Sequence, residues 1–451
     1  MSVTTTLAKL VEETEFQDFS SEAVTHAKRS IRDFLGVAIY GSHHEVGETI
    51  MKYIDSRSSE GDSLILGYGM YDAPYAALAN GTFGHAVDYD DTFESIVLHP
   101  SGSSFPAALA VAEEESSTGK DILTGYIVGL EVAFRVGRSM EPTHWEDGWH
   151  STGTIGIFGS TAAACSVLGL SIEETERAFG IAGSSSSGLG RNSGTMTKPF
   201  HPGHAAHMGV QAALLARNGF TADRNILEGQ GGFGPVYTND NKFYPERITD
   251  PELDDWAVLD NGFKPYPSGV VTDAPMEALR SVMRENDLYN EDIETVSVTV
   301  DERFEPILDS NPNDALEAKF SYQFCVAAIL RERHAGIHQF TDEFVNEPAT
   351  KEAMKKIEMH LEPNLFSEGK LAEASYGAVV EVTTTTGETL SKTIENAPGS
   401  PSNPLPDDRL KSKFIECTTT VYDEEKANQV WDLIGRFEQE DVLNDLERII
   451  C

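Results

Sequence analysis

The sequence predicts a mainly α protein: a large all-helical domain with a smaller α+β lid domain inserted near its C-terminal end. Three observations carry this. Apolar residues recur at helical spacing through the first 262 positions, two later stretches alternate as strands do, and helical spacing returns after about 403. At 451 residues the chain is too long for one typical core. The expected domains are 1–262 and 403–451 for the helical part and 263–402 for the lid.

Taken in order, Ser20-Ser21-Glu-Ala opens a helix with Val24, Ala27, Ile31, Phe34, Leu35 and Ala38 on one face and Gly41 as its stop. Further helices are expected at about 44–56, 73–87, 104–116 and 120–139, with Gly61–Tyr71 as an irregular link. The run 154–169 is rich in Gly, Ala and Ser, which suits close helix packing. Ser171-Ile-Glu-Glu174 reads as a capping box, and a helix is expected over 203–218. After 262, Glu294–Asp301 and Ala378–Thr386 alternate as strands, the second followed by a Gly387 turn and a partner run Thr389–Ile394. Helices are expected between them at 274–286, 316–333 and 350–356. Pro401, Pro404 and Pro406 mark the return to helices at 405–416 and 424–449.

Charge excludes several classes of partner. The chain carries 73 Asp and Glu against 34 Lys and Arg, a net −39 spread along its whole length. Nucleic acid and anionic membrane are therefore not expected partners. So acidic and evenly charged a surface suits a halophilic protein that stays hydrated in high salt. Four cysteines without a CxxC pair, no leader-like N-terminus and no apolar run of membrane length point to the cytoplasm.

One stretch breaks the pattern. Arg177–Ala222 has no Asp or Glu, where the mean density would give about seven acids. It holds Lys198, His201, His204 and His207 instead. A site for an anionic ligand explains the exclusion, and so does a buried helical core. The His spacing of i, i+3, i+6 fans the rings apart and argues against a three-His metal site. Lys198, read as a loop ammonium, suits a substrate carboxylate. Three other stretches carry chemistry-bearing residues. His85-Ala-Val-Asp-Tyr-Asp-Asp-Thr92 with His99 could bring Asp88, Thr92 and His99 to one pocket, hold a metal, or end a solvated helix. His150 precedes a helix start, where it could meet an anion beside backbone N–H groups. Lys264-Pro-Tyr-Pro-Ser268, followed by Asp273, is an extended segment where the fold class changes, either a cleft wall or a plain linker.

These stretches, together with Thr197-Lys-Pro-Phe-His-Pro-Gly-His-Ala-Ala206 and Phe320-Ser-Tyr-Gln-Phe324, resemble in their order the MmgE/PrpD family of 2-methylcitrate dehydratases, cis-aconitate decarboxylases and iminodisuccinate epimerases. The resemblance implies a helical domain, an α+β lid, a cleft between them, a homodimer, and no metal or organic cofactor. By position, Asp88, Thr92, His99, His150 and Lys198 match the family's active-site motifs, and with them Asp273 is read as catalytic and His201, Lys264 and Ser268 as substrate-binding. Three positions depart from the family. The Thr92–His99 gap is one residue longer than in the decarboxylase, Asp273 stands where His is common, and Phe324 stands where Tyr is frequent. The expected activity is dehydration of a 2-methylcitrate-like di- or tricarboxylate. Decarboxylation, epimerisation and non-catalytic carboxylate binding are the alternatives.

Overall fold

The computed structural model describes all residues except 58–59, 141–143, 240–241, 251–252, 254, 308–309, 368–375, 440–441 and 451, together with the side chains of 306–307. The chain forms two compact units. Unit 1 comprises Met1–Ala86, Asp90–Asn261 and Cys417–Cys451, and unit 2 comprises Val87–Tyr89 and Gly262–Glu416. Residues 403–416, expected with the helical domain, pack with unit 2 instead.

Unit 1 is helical, as the periodicity predicts. Ser20 caps Ser21–Ser42 by accepting the Ala23 N–H, and Ser171 and Glu174 cap Ile172–Ser185 reciprocally. Helices Ala73–Gly84, Ser101–Glu114, Gly156–Val167 and Thr197–Arg217 pack together at its centre. The first three are buried nearly all round, which is why they are rich in Ala, Gly and Ser and lack a polar stripe. Two glycines set the closest approach. A Cβ on Gly203 would lie 2.2 Å from Thr82 Oγ1 and 2.4 Å from the Leu78 carbonyl, and one on Gly81 would lie 2.8 Å from Gly203 Cα.

Three expectations for unit 1 need correction. Gly61–Tyr71 is not irregular: Glu60–Ile65 and Gly69–Tyr71 form an antiparallel pair, turned by Gly67 and Gly69 at positive φ. The helix expected at 203 begins at Thr197, so Lys198 is helical rather than in a loop. Pro199 sits in the first turn, where no N–H partner is needed, and Pro202 costs one backbone bond. The C-terminal run 424–449 is two helices, Glu424–Gly435 and Val442–Ile450.

Unit 2 is built on a four-stranded sheet in the order Ile357–Glu362, Ile293–Asp301, Ala378–Thr384, Thr389–Ile394. Val296, Val298, Val300, Val380 and Val382 face a core closed by helices Asp273–Glu285 and Tyr322–Glu332. The strand Ile357–Glu362, where the sequence reading places no element, pairs in parallel with Ile293–Asp301. The intervening helices provide the crossover that a parallel pair requires. The single helix expected at 316–333 is broken: Ala315–Ala318 ends and Ser321 caps a new helix by accepting the Phe324 N–H. Phe324 packs edge-on against Phe340 and Phe344 in this core.

Candidate active site

In unit 1 the helix Ala73–Gly84 ends at His85, and the chain then runs irregularly to the helix that starts at Ser101. That irregular run carries the first functional side chains. Both Asp90 oxygens accept from His85 Nδ1, at 2.8 and 2.9 Å, and both residues are buried. His85 Nε2 is buried and has no hydrogen-bond partner among the described residues. His99 Nδ1 lies 2.9 Å from the Asp91 carbonyl. A carbonyl only accepts, so Nδ1 carries the proton and Nε2 is left as the basic nitrogen. The connection from Thr92 to His99 is closed by a Phe93–Leu98 bridge, with Val97 in the left-handed region at φ 47°. Thr92 is buried and its hydroxyl donates to the Leu98 carbonyl at 3.4 Å.

Asp91 supports this run from behind. Its carboxylate accepts from Ser101 and from the Asn261 side-chain amide, and Ser101 in turn meets the Tyr126 hydroxyl. Burial and the nearby charge of Asp33 push the Asp91 carboxyl up to about 8. Asp91 is thus scaffold: its backbone carbonyl holds His99 and its side chain anchors the loop.

His150 and His201 complete the group. Their Nδ1 atoms are 2.8 Å apart, so one must donate while the other accepts, and both rings cannot be charged in this arrangement. The rings form a row. His99 and His85 have centroids 4.6 Å apart, His85 and His150 5.7 Å, and His150 and His201 5.0 Å. Burial first, and then the Lys198 charge, hold His150 well below the usual imidazole range. Burial and the neighbouring cations lower His201 to about 4. The His150 N–H donates to the Gly188 carbonyl, and Ser151–Thr154 is a single turn. His204 stacks on Phe200 and His207 bonds to the Pro74 carbonyl, so the three histidines of this helix do diverge.

The remaining expected residues lie in unit 2. Asp88 has a left-handed backbone at φ 56°, and its carboxylate takes a 2.6 Å bond from the buried Lys264 ammonium. Ser268 and Thr272 share a hydroxyl–hydroxyl bond of 2.7 Å. Asp273 is wholly buried as the first residue of Asp273–Glu285, where the helix dipole favours a carboxylate. Thr92, His99, His150, Lys198 and His201 therefore belong to unit 1, and Asp88, Lys264, Ser268 and Asp273 to unit 2.

His85, Asp90 and His99 offer donor atoms within 4.8 Å of one another, a spacing a cation could bridge. Their hydrogen bonds also make them an acid–base network, in which Asp90 already serves His85. By residue type and spacing, the sequence reading takes His85 and Asp90 only as possible metal donors and misses their pairing. It also misses Asp91, Ser101 and Asn261 as supports. The run of acids after His85 was the available signal, but in so acidic a chain it does not stand out.

A family model for the MmgE/PrpD N-terminal domain matches residues 5–246, and one for the MmgE/PrpD C-terminal domain matches 266–439. The chain is 29% identical over 430 residues to a cis-aconitate decarboxylase of Mus musculus, covering 92% of this chain and 86% of the relative. It is 25% identical over 459 residues to a cis-aconitate decarboxylase of Aspergillus terreus, covering 96% and 93%. Among the described residues, no helix is long and apolar enough to cross a membrane.

Proposed function

The chain belongs to the MmgE/PrpD family, and from that premise we propose that it is a lyase acting on a small di- or tricarboxylate, removing water from a 2-methylcitrate-like substrate. The observation that carries this is the His99 tautomer: the Nδ1–H given to the Asp91 carbonyl leaves Nε2 as a base in the same row as His150 and His201, whose imidazoles burial holds below their usual range. In the reaction His99 Nε2 takes the proton α to a carboxylate. The C–H electron pair becomes the new double bond, the C–O bond breaks, and the hydroxyl leaves as water with a proton from an acid. Lys198, His150 and His201 hold carboxylates and stabilise the enolate-like charge that develops. Thr92 orients the hydroxyl-bearing carbon. Asp88 and the run Lys264–Ser268 match family motifs and are assigned to the same chemistry; Asp273, at the position where the family commonly has His, is the second candidate for proton transfer, and the resemblance implies a homodimer.

A second reading is decarboxylation of cis-aconitate, favoured by the names of relatives aligned over more than nine-tenths of the chain. Asp273 and Phe324, in place of the imidazole and phenol common in the family, weigh against it. The test is a turnover screen in molar salt with 2-methylcitrate, cis-aconitate and iminodisuccinate, followed by proton NMR and CO2 release. Loss of water without CO2 supports dehydration. CO2 from cis-aconitate replaces it with the second reading. Binding without any turnover overturns both.

A further inference from the structure

Buried lysines are rare, and unit 2 has three of them directed at one short segment. Lys319, Lys264 and Lys413 are each about 5% exposed or less. Lys319 Nζ donates to the Val87 carbonyl at 2.6 Å, Lys264 Nζ to the Asp88 carbonyl at 3.0 Å, and Lys413 Nζ to the Tyr89 carbonyl at 2.5 Å. Three successive carbonyls of unit 2 thus each receive an ammonium. Two of these lysines are also staples. Lys319 reaches the Pro267 carbonyl at 3.2 Å and Lys413 the Lys264 carbonyl at 3.1 Å. Between them the Tyr89 hydroxyl donates to the Pro265 carbonyl at 3.1 Å. Aromatic faces seat the two cations: Lys413 lies 4.0 Å from the Tyr89 ring centroid and Lys319 5.4 Å from that of Phe340.

The cost of burying an ammonium is several times what a neutral carbonyl bond returns, so a carbonyl partner could be supplied more cheaply by an amide or a water. What the ammoniums add is direction and strength on both sides of Asp88, a non-glycine residue held at positive φ. We propose that Lys319 and Lys413 are positioning residues, which staple Val87–Tyr89 to Lys264–Pro267 and so fix the Asp88 carboxylate and the Lys264 ammonium for the reaction. This rests on the lyase reading above, in which Asp88 and Lys264 serve the chemistry.

The test uses the full-length protein with Lys319→Met and Lys413→Met, each alone and combined with Asp88→Asn, read by steady-state kinetics and by hydrogen exchange. Each Lys→Met variant is expected to lower kcat by about 100-fold, the effect of an ångström-scale misplacement, with KM changed less than about three-fold. In the Asp88→Asn background the same substitution is expected to cost less than about two-fold more, because the carboxylate it positions is gone. Hydrogen exchange should rise in peptides covering 87–89 and 264–267 and stay level in the sheet of unit 2, a readout independent of substrate. Equal losses with and without Asp88, or unchanged exchange in both peptides, would overturn the staple. If Asp88→Asn itself leaves turnover intact, the role of Asp88 fails instead, and the exchange result still decides whether the lysines hold the segment.

Discussion

Anion binding to the imidazole row should draw protons from solution. Burial and the neighbouring cations hold His201 down at about 4, so at pH 7 it is essentially uncharged. A carboxylate placed about 4 Å away interacts with a charged imidazole by about 4 kcal/mol at an effective dielectric constant of about 20. At about 1.4 kcal/mol per pH unit this is about three units, which lifts the ring from about 4 to about 7. About half a proton should therefore be taken up per ligand bound at pH 7. The proton goes to Nε2 of one ring, because the facing Nδ1 atoms of His150 and His201 already share one. Calorimetry of citrate or another non-turned-over polycarboxylate, in buffers of different ionisation enthalpy, measures the uptake from the slope. His201→Asn should reduce it. A slope of zero, or proton release, between pH 6 and 8 would refute the reasoning, since the row would then not be the carboxylate site.

Three further outcomes are expected. Lys198→Ala should lower kcat/KM by about 10- to 100-fold, the worth of a charge-assisted hydrogen bond, and full turnover in that variant would remove Lys198 from the site. Asp91, raised to about 8 by burial, contributes stability that is fully present below about pH 4 and lost as pH rises through about 8. Asp91→Asn should accordingly flatten the fall in Tm between about pH 4 and 8, as scanning calorimetry would show. Gly203→Ala should cost roughly 1–3 kcal/mol in chemical denaturation by forcing apart the helices Ala73–Gly84 and Thr197–Arg217. Wild-type stability there would mean the contact relaxes freely.

Much of this protein was legible in one dimension because its signals are local. The caps at Ser20 and Ser171, the small-residue core helix after Gly156 and the strand pair around Gly387 depend on residues within a few positions of one another. The ordered motifs identify the family for the same reason. Short-range rules failed where a distant partner decides. The edge strand Ile357–Glu362 exists because Ile293–Asp301 offers it a parallel neighbour, and Lys198 is helical because a first turn accepts prolines that suggest a loop in isolation. The site shows the same division. His99, His150 and Lys198 could be chosen by type and motif, but not the His99 tautomer, which is set by a carbonyl eight residues away, nor the His150–His201 contact across 51 residues. Lys319 and Lys413 are ordinary basic residues in the sequence, and only their burial against Val87–Tyr89, more than 200 residues away, makes them distinctive. Residue type and spacing determined which groups are available for chemistry. Burial and long-range hydrogen bonding, which depend on the assembled core, decided which nitrogens are basic and which carboxylates and ammoniums are held in place.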